Sequence, residues 1–256
     1  MANANQTAPR YTVGEEIFNA VSHGIGAGLS VAALVTLIVH AAHVSDAYGV
    51  VSVSLYGAAL IILYTMSTLY HALTPAGAKR VFRVFDHTTI FLLIAGTYTP
   101  YLLVTLRGAL GWTLFGILWG LAVVGIVFDA VMLDRFRKIE MILYVAMGWC
   151  IVLTVKPLLA AMEPGGLILL LAGGVCYTVG IIFYKLKKIR YMHSIWHLFV
   201  LAGSILHYFS VYFYVLYTHA KKALRRAPFF VVMRRYGGEC GFPAFRGRRD
   251  CARPPG

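Results

Sequence analysis

Two histidines, His193 and His197, are four residues apart in an apolar stretch, and this spacing places both imidazoles on one face of a helix. Imidazoles one helical turn apart can bind the same metal ion, and His71 from another stretch would complete a set of three nitrogen ligands. The fourth position of a tetrahedral site then stays open to water. An all-imidazole set favours zinc, although copper and nickel are chemically compatible with it. An open zinc site is typical of catalysis, because the metal lowers the pKa of its water to about 7.

A carboxylate and a hydroxyl accompany these histidines. Asp86 is a candidate to orient or deprotonate the metal's water, and Ser67, one helical turn before His71, is a candidate hydrogen-bond partner behind the ligands. The histidine pair alone is weak evidence, because the chain has nine histidines in 256 residues. Interfacial histidines that are satisfied by the backbone or by lipid headgroups show the same spacing. The metal interpretation therefore depends on the fold bringing all these groups to one place.

The composition shows what kind of fold must position them. Hydrophobic residues make up 59% of the chain and charged residues only 13%, with a mean hydropathy of +0.74. A soluble domain would have roughly 25% charged residues. These values exclude an ordinary soluble enzyme, a disordered protein and a nucleic-acid-binding module. The net charge of +13 is therefore informative through its distribution, and we expect no nucleic-acid partner.

The chain contains seven apolar stretches, each long enough to cross a hydrocarbon core about 30 Å thick as a helix. They are continuously apolar, without the alternation of polar and apolar residues that barrel strands show, and this favours helices. Pro100 and Pro157 are expected to kink the third and fifth of them. The sequence thus predicts an all-α fold, a bundle of seven transmembrane helices at approximately 17–40, 49–73, 87–106, 109–133, 139–161, 166–185 and 192–217.

Basic residues in the loops predict the orientation, because short cytoplasmic loops are enriched in Lys and Arg. The loops after the first and fifth helices have neither, and the loop after the third has only Arg107. The N-terminus is therefore predicted to be cytoplasmic and the C-terminus outside. This topology brings His71, Asp86 and the pair of His193 and His197 to one depth near the cytoplasmic face. The loops after the second, fourth and sixth helices carry Lys79, Arg80 and Arg83; Arg135, Arg137 and Lys138; and Lys185, Lys187, Lys188 and Arg190.

Three regions follow along the chain. Residues 1–16 are predicted to be a short cytoplasmic N-terminus, residues 17–217 the transmembrane domain, and residues 218–256 a basic, disordered C-terminal tail. The first helix is interpreted as an uncleaved signal anchor, because its apolar run is too long for a signal peptide. Residues 219–256 hold 10 of the 23 Lys and Arg residues, which disagrees with a C-terminus outside the cell.

The other polar residues in the apolar stretches are explained by packing, pairing or position, and none is expected to be a metal ligand. His23 is expected to be a packed residue that borders the same cavity, and His87 to be interfacial. His207 is ten residues past His197, roughly 15 Å by helical rise, so it is too deep to be a ligand and is expected to hydrogen-bond across the bundle. Asp129 is near a helix end, where snorkelling or local pairing is sufficient.

The spaced motifs resemble a known family. Ser67-Thr-Leu-Tyr-His71, Phe85-Asp86-His87 and His193-Ser-Ile-Trp-His197 are similar to the bacterial hemolysin III proteins, members of the progestin and adipoQ receptor superfamily that includes the adiponectin receptors. The segments Glu16-Ile-Phe-Asn-Ala-Val-Ser-His23 and Ala95-Gly-Thr-Tyr-Thr-Pro100 resemble that family too, so the likeness covers about residues 11–217.

This resemblance implies seven helices with the N-terminus inside, in a bacterial inner (plasma) membrane. It implies a zinc ion bound by His71, His193 and His197, with Asp86 close to the metal's water. The wider superfamily includes alkaline ceramidases, which suggests that a membrane lipid is the substrate and that a lipid amide is hydrolysed. The short N-terminus lacks the cytoplasmic domain of the adiponectin receptors, which favours a bacterial member.

Three functions remain open on the sequence. The first is a zinc-dependent hydrolase of lipid amides, and the second is a cytolysin or channel, as the family's name indicates. The third is a membrane receptor or sensor in which zinc is structural and ties the second helix to the seventh. The sequence leaves the oligomeric state open.

Overall fold

The computed structural model describes residues 11–132, 137–186 and 188–217. The predicted basic tail, residues 218–256, lies outside the described residues, as do residues 1–10. In the described part the chain forms eight α-helices: α1 (Val13–Val44), α2 (Ala47–Ala72), α3 (Ala76–Pro100), α4 (Ala109–Met132), α5 (Arg137–Gly148), α6 (Val155–Ala161), α7 (Pro164–Lys185) and α8 (Met192–Ser210).

Seven helical segments are long and apolar enough to cross a membrane, which confirms the predicted number. Helices α5 and α6, joined by a 3-10 turn at Cys150–Thr154, form a single crossing over Ile139–Ala161. No strand occurs among the described residues. The all-α prediction is therefore confirmed, whereas the orientation of the bundle in the membrane stays a prediction.

The predicted start of the third helix is wrong by 11 residues, since α3 begins at Ala76 and not at 87. The first turns of α3 contain Lys79, Arg80 and Arg83, whose charges make this stretch look like a loop in the sequence. Asp86 consequently lies inside α3 and does not open it. Helix α1 likewise begins at Val13, four residues earlier than predicted, with Thr12 as its N-cap.

Helix α1 shows that the bundle has an apolar exterior and a partly polar interior. Its outward positions include Ile17, Val21 and Ile25, each more than half exposed, whereas Asn19 is fully buried and Ser30 nearly so. This arrangement is the inverse of that in a soluble protein, in which large apolar side chains lie inside. It fits a helix whose outer face contacts lipid and whose polar groups find partners within the bundle.

The helices close into a bundle in which α1 packs against both α2 and α8. Tyr56 and Tyr64 of α2 reach across to α8, where they donate hydrogen bonds to the Ser204 carbonyl and to Ser204 Oγ at 3.3 and 2.8 Å. We define the site end of the bundle as the end at which α1 begins. At the site end, α2 ends at Ala72, α3 begins at Ala76, α7 ends at Lys185 and α8 begins at Met192.

Both predicted kink positions coincide with changes of helix type. A π-helical turn, Tyr101–Thr105, directly follows Pro100, and the 3-10 turn Cys150–Thr154 ends three residues before Pro157. Proline has no N–H to donate to the carbonyl four residues earlier, so the regular ladder is interrupted at both places. A second π-helical turn at Val211–Val215 extends α8 without a proline.

Candidate metal centre

Three predicted ligands converge at the site end of the bundle. His71 is in the last turn of α2, and His193 and His197 are in the first two turns of α8. One nitrogen from each ring lies within 4.8 Å of the other two, and no other such group of three potential ligands occurs among the described residues. His71 and His197 are almost fully buried, at 3% and 1% exposure. The fold thus brings together the three histidines that the sequence singled out.

The spacing of the nitrogens fits a tetrahedral metal. Nε2 of His193 and Nε2 of His197 are 3.1 Å apart. Two nitrogens at 2.0–2.1 Å from one tetrahedral ion would be about 3.3 Å apart, which is close to this separation. Two neutral imidazoles that turn these atoms toward each other need a proton or a cation between them. Three imidazole nitrogens suit zinc and the neighbouring divalent transition metals.

Hydrogen bonds from α1 turn Nε2 of two ligands toward the cluster. Nδ1 of His71 donates to Oε2 of Glu16 at 2.6 Å, and Oε1 of Glu16 is 2.5 Å from the Lys79 ammonium. Nδ1 of His197 faces Oγ of Ser22 at 3.5 Å, while that hydroxyl donates to the Asn19 carbonyl. With the proton on Nδ1, each ring keeps its Nε2 lone pair available to a metal.

The role of α1 in this centre was not predicted from the sequence. Besides the two contacts above, Oδ1 of Asn19 accepts a hydrogen bond of 2.6 Å from Ser194, between the two α8 histidines. A signal was present, because Glu16, Asn19 and His23 recur at helical spacing within an otherwise apolar helix. Such a polar stripe on a membrane helix marks a face that needs partners.

Several buried polar atoms in and beside the cluster have no hydrogen bond within the described part of the chain. They include Nε2 of His71, the hydroxyl of Ser67 and both ring nitrogens of His23. A buried group without a partner costs about 1–3 kcal/mol. For Nε2 of His71, a metal ion held by the three histidines would satisfy that need. The donor set and its unpaired atom therefore fit the metal predicted from the sequence.

The cluster opens on a cavity between the helices. About 140 Å³ of the cavity can hold the centre of a water-sized sphere, and its wall contains His193, His197, Ser67 and Asp86. It follows α3 from Asp86 to Tyr98, roughly 18 Å by helical rise. Most of the remaining wall is apolar or aromatic. The predicted carboxylate and hydroxyl thus share one space with two of the three histidines.

Tyr11 covers the cluster at the site end. Its ring stacks on His193 with centroids 4.9 Å apart and is tilted against His71 at 5.7 Å. Burial raises the pKa of the Tyr11 phenol well above its ordinary value, so the ring is a neutral phenol at neutral pH. The Tyr11 ring thus packs over His71 and His193 at the site end.

His87, which was expected to be interfacial, is bonded to groups of another helix of the bundle. Its Nδ1 donates to Oε1 of Glu140 at 2.8 Å, and Tyr144 donates to the same oxygen at 2.8 Å. Asp129, near a helix end where snorkelling or local pairing was expected, is 2% exposed and faces the Tyr144 hydroxyl at 3.5 Å, which agrees with local pairing. This group joins α3, α4 and α5, and His87, Glu140 and Tyr144 also line the cavity.

His207 lies beside the cavity and outside the histidine cluster, as expected from its predicted depth. Its predicted hydrogen bond across the bundle is wrong, because Nδ1 bonds to the Gly203 carbonyl of its own helix at 2.7 Å. The contact across the bundle is instead a stacked ring, that of Tyr177 in α7, with centroids 5.3 Å apart. Gly173 of α7 permits this approach, since a Cβ there would lie 2.2 Å from Nδ1 of His207.

Comparison with known proteins shows which family the chain is similar to. A family model described as haemolysin-III related matches residues 11–208. Hemolysin-3 of Bacillus cereus is 50% identical over 206 residues, covering 80% of this chain and 94% of that protein. The Hemolysin-3 homolog of Bacillus subtilis (strain 168) is 47% identical over 204 residues, covering 80% and 96%. The monocyte to macrophage differentiation factor of Homo sapiens is 28% identical over 176 residues, covering 66% and 73%.

Proposed function

The chain belongs to the haemolysin-III-related family of multi-pass membrane proteins, and from this we propose that it is a zinc-dependent hydrolase of lipid amides. The observation that carries the proposal is the convergence of three histidine nitrogens within 4.8 Å beside a mostly apolar cavity. We place the protein in the bacterial plasma membrane with its N-terminus in the cytoplasm, as the basic loops indicate.

Three imidazoles would hold the zinc ion and leave one position open. Zinc in such a site supplies a Lewis acid and, through its open position, a water with a pKa near 7. His71 and His197 are oriented for this by Glu16 and Ser22. Their Nδ1 protons are held by α1, so only Nε2 is available to the ion.

Asp86 and Ser67 provide the remaining groups. The Asp86 carboxylate, on the cavity wall, accepts a proton from the attacking water and returns it to the amide nitrogen as the C–N bond breaks. The Ser67 hydroxyl is buried and has no partner in the described part of the chain, so it is available to hold that water. The water oxygen ends in the released fatty acid and the proton ends on the released amine.

The cavity supplies the binding site for the lipid. Its walls follow α3 for roughly 18 Å and are mostly apolar, as an acyl chain requires. Gly174 lies on the wall, and a Cβ there would meet no atom within 4 Å. A Cβ at Gly174 is therefore accommodated, and the further atoms of a larger side chain would take up part of the cavity that the acyl chain needs. We expect Gly174→Leu to shift hydrolysis toward lipids with shorter chains.

The proposal is tested with purified protein in detergent, by release of fatty acid from an N-acyl sphingosine. Wild type is expected to release it, His193→Ala to lose the activity, and Asp86→Asn to be about 10²–10⁴-fold slower while keeping its metal. His40→Ala, which removes a histidine stacked on Tyr212 away from the cluster, serves as the control. Equal rates in wild type and His193→Ala contradict the proposal.

Two other functions are separated by the same preparation. If zinc is structural, a chelator lowers the thermal midpoint although the protein shows no turnover to lose. The name Hemolysin-3 of the Bacillus cereus relative makes membrane lysis the second alternative. Release of dye from liposomes by both wild type and His71→Ala would favour lysis over hydrolysis.

A further inference from the structure

His23 lies against the metal centre, but its orientation excludes it as a ligand of the same ion. Its ring stacks on His197 with centroids 3.6 Å apart and 15° between the planes. A metal ion lies close to the plane of each imidazole that binds it. Two rings stacked almost parallel at this separation cannot direct their lone pairs at one ion. His23 is accordingly not part of the converging group formed by His71, His193 and His197.

The ring of His23 has packing contacts, but its two nitrogens have no hydrogen-bond partners within the described residues. One contact of the ring is the stack on His197, and the other is an edge contact with Tyr64 at 4.9 Å. The residue is 3% exposed, and neither Nδ1 nor Nε2 has a hydrogen-bond partner within the described residues. A neutral imidazole has one N–H donor and one acceptor. Burying both without partners is unfavourable unless something else in the protein's working state satisfies them.

The cavity is where that partner can come from. His23 is on its wall, together with Ser67 and His197. Because His23 stacks on a candidate ligand, it is located at the metal end of the cavity. The rest of the wall is mostly apolar, so a bound lipid would place its hydrocarbon there and its polar group near the histidines. The N–H of an imidazole pairs with an oxygen acceptor.

We propose that His23 is a substrate-binding residue whose ring N–H donates a hydrogen bond to the carbonyl oxygen of an amide or ester lipid in the cavity. The inference rests on the proposed function for the class of lipid. The hydrogen bond fixes the carbonyl carbon beside the metal centre and within reach of the attacking water. It also stabilises the negative charge that develops on the carbonyl oxygen when that water attacks.

Binding of two matched probes tests the inference. The first is an N-acyl sphingosine with a fluorophore at the chain end, and the second is the same molecule with CH₂ in place of the carbonyl. Because the second probe is a cationic amine at neutral pH, each probe is compared between variants and not with the other probe. Their affinities are measured by fluorescence anisotropy in detergent, alongside the metal content of each variant. His23→Phe keeps an aromatic ring to stack on His197 and removes both nitrogens, whereas His23→Gln keeps an N–H donor.

We expect His23→Phe to retain its metal and to bind the carbonyl probe about tenfold more weakly, which corresponds to one lost hydrogen bond. Its affinity for the CH₂ probe should equal that of wild type. His23→Gln should bind the carbonyl probe within about threefold of wild type. If His23→Phe fails to fold, the His23→Gln variant still tests the inference, since a loss of carbonyl binding in that variant overturns it.

Other results also overturn the inference. They are unchanged binding of the carbonyl probe by His23→Phe, an equal loss for both probes, and no binding of the carbonyl probe by wild type. Failure of the proposed hydrolysis can be distinguished from failure of the inference about His23. A wild type that binds the carbonyl probe through His23 without cleaving it supports the inference and contradicts hydrolysis. If wild type cleaves the carbonyl probe and His23→Phe binds that probe as tightly as wild type, the result supports hydrolysis and contradicts the inference about His23.

Discussion

Glu16 and His71 are joined by a hydrogen bond of 2.6 Å between the Glu16 carboxylate and Nδ1 of the imidazole. This contact connects the first turns of α1 to the last turn of α2 and determines which nitrogen of His71 faces the cluster. Lys79 of α3 approaches the other carboxylate oxygen at 2.5 Å. The candidate metal centre is thus supported by three helices in addition to α8, and a stabilised carboxylate holds the tautomer that a ligand needs.

Glu16→Gln is expected to weaken metal binding by about 10–100-fold, the usual effect of losing a carboxylate behind a ligating histidine. Titration with zinc against a competing chelator measures this. Glu15→Gln is the matched control, because Glu15 is bonded to Thr12 and the Tyr191 backbone and not to a histidine. A similar loss of affinity in both variants would show that the effect is a general disturbance of α1.

Gly173→Ala is expected to destabilise the protein by about 1–3 kcal/mol, because a Cβ would overlap the His207 ring and approach the Gly203 carbonyl at 3.1 Å. Thermal unfolding in detergent checks this. Its neighbour supplies the control, since Gly174→Ala introduces a Cβ with no atom within 4 Å. Equal midpoints for the two variants would contradict the close packing of α7 on α8.

The two buried carboxylates at α4 and α5 are expected to differ in their effect on stability. Glu140→Ala leaves Nδ1 of His87 without its 2.8 Å partner, at a cost of about 1–3 kcal/mol, whereas the Tyr144 hydroxyl keeps the His87 carbonyl as an acceptor at 2.8 Å. Asp129→Asn replaces a buried carboxyl group whose hydrogen bond to Tyr144 is long, 3.5 Å, and should leave the thermal midpoint unchanged or higher. A larger loss in Asp129→Asn than in Glu140→Ala would contradict this description.

Much of the fold follows from the sequence, because the length of an apolar run and the exclusion of charge from lipid are local properties. The seven crossings and the shared depth of His71, His193 and His197 were predictable on that basis. The start of α3 was not, since a basic first turn of a helix has the composition of a loop. Asp86 was therefore placed at the wrong position within its helix, although it does line the cavity.

The groups that surround the cluster were harder to predict. The bonds of Glu16 to His71 and of Asn19 to Ser194 join residues far apart in the chain, 55 and 175 positions. The polar stripe on α1 indicates that partners exist but not which ones. The pair of His87 and Glu140 depends on how α3 and α5 pack, which the composition of either segment does not reveal.

We propose that His71, His193 and His197 bind one metal ion, and metal analysis of purified protein tests this most directly. Wild type and the His40→Ala control should contain about one zinc ion per chain, and His71→Ala and His197→Ala should contain almost none. Loss of zinc from both variants would show that one ion is bound by two helices, because His71 is in α2 and His197 is in α8. Absence of metal from wild type, or a full complement in either ligand variant, would contradict the account.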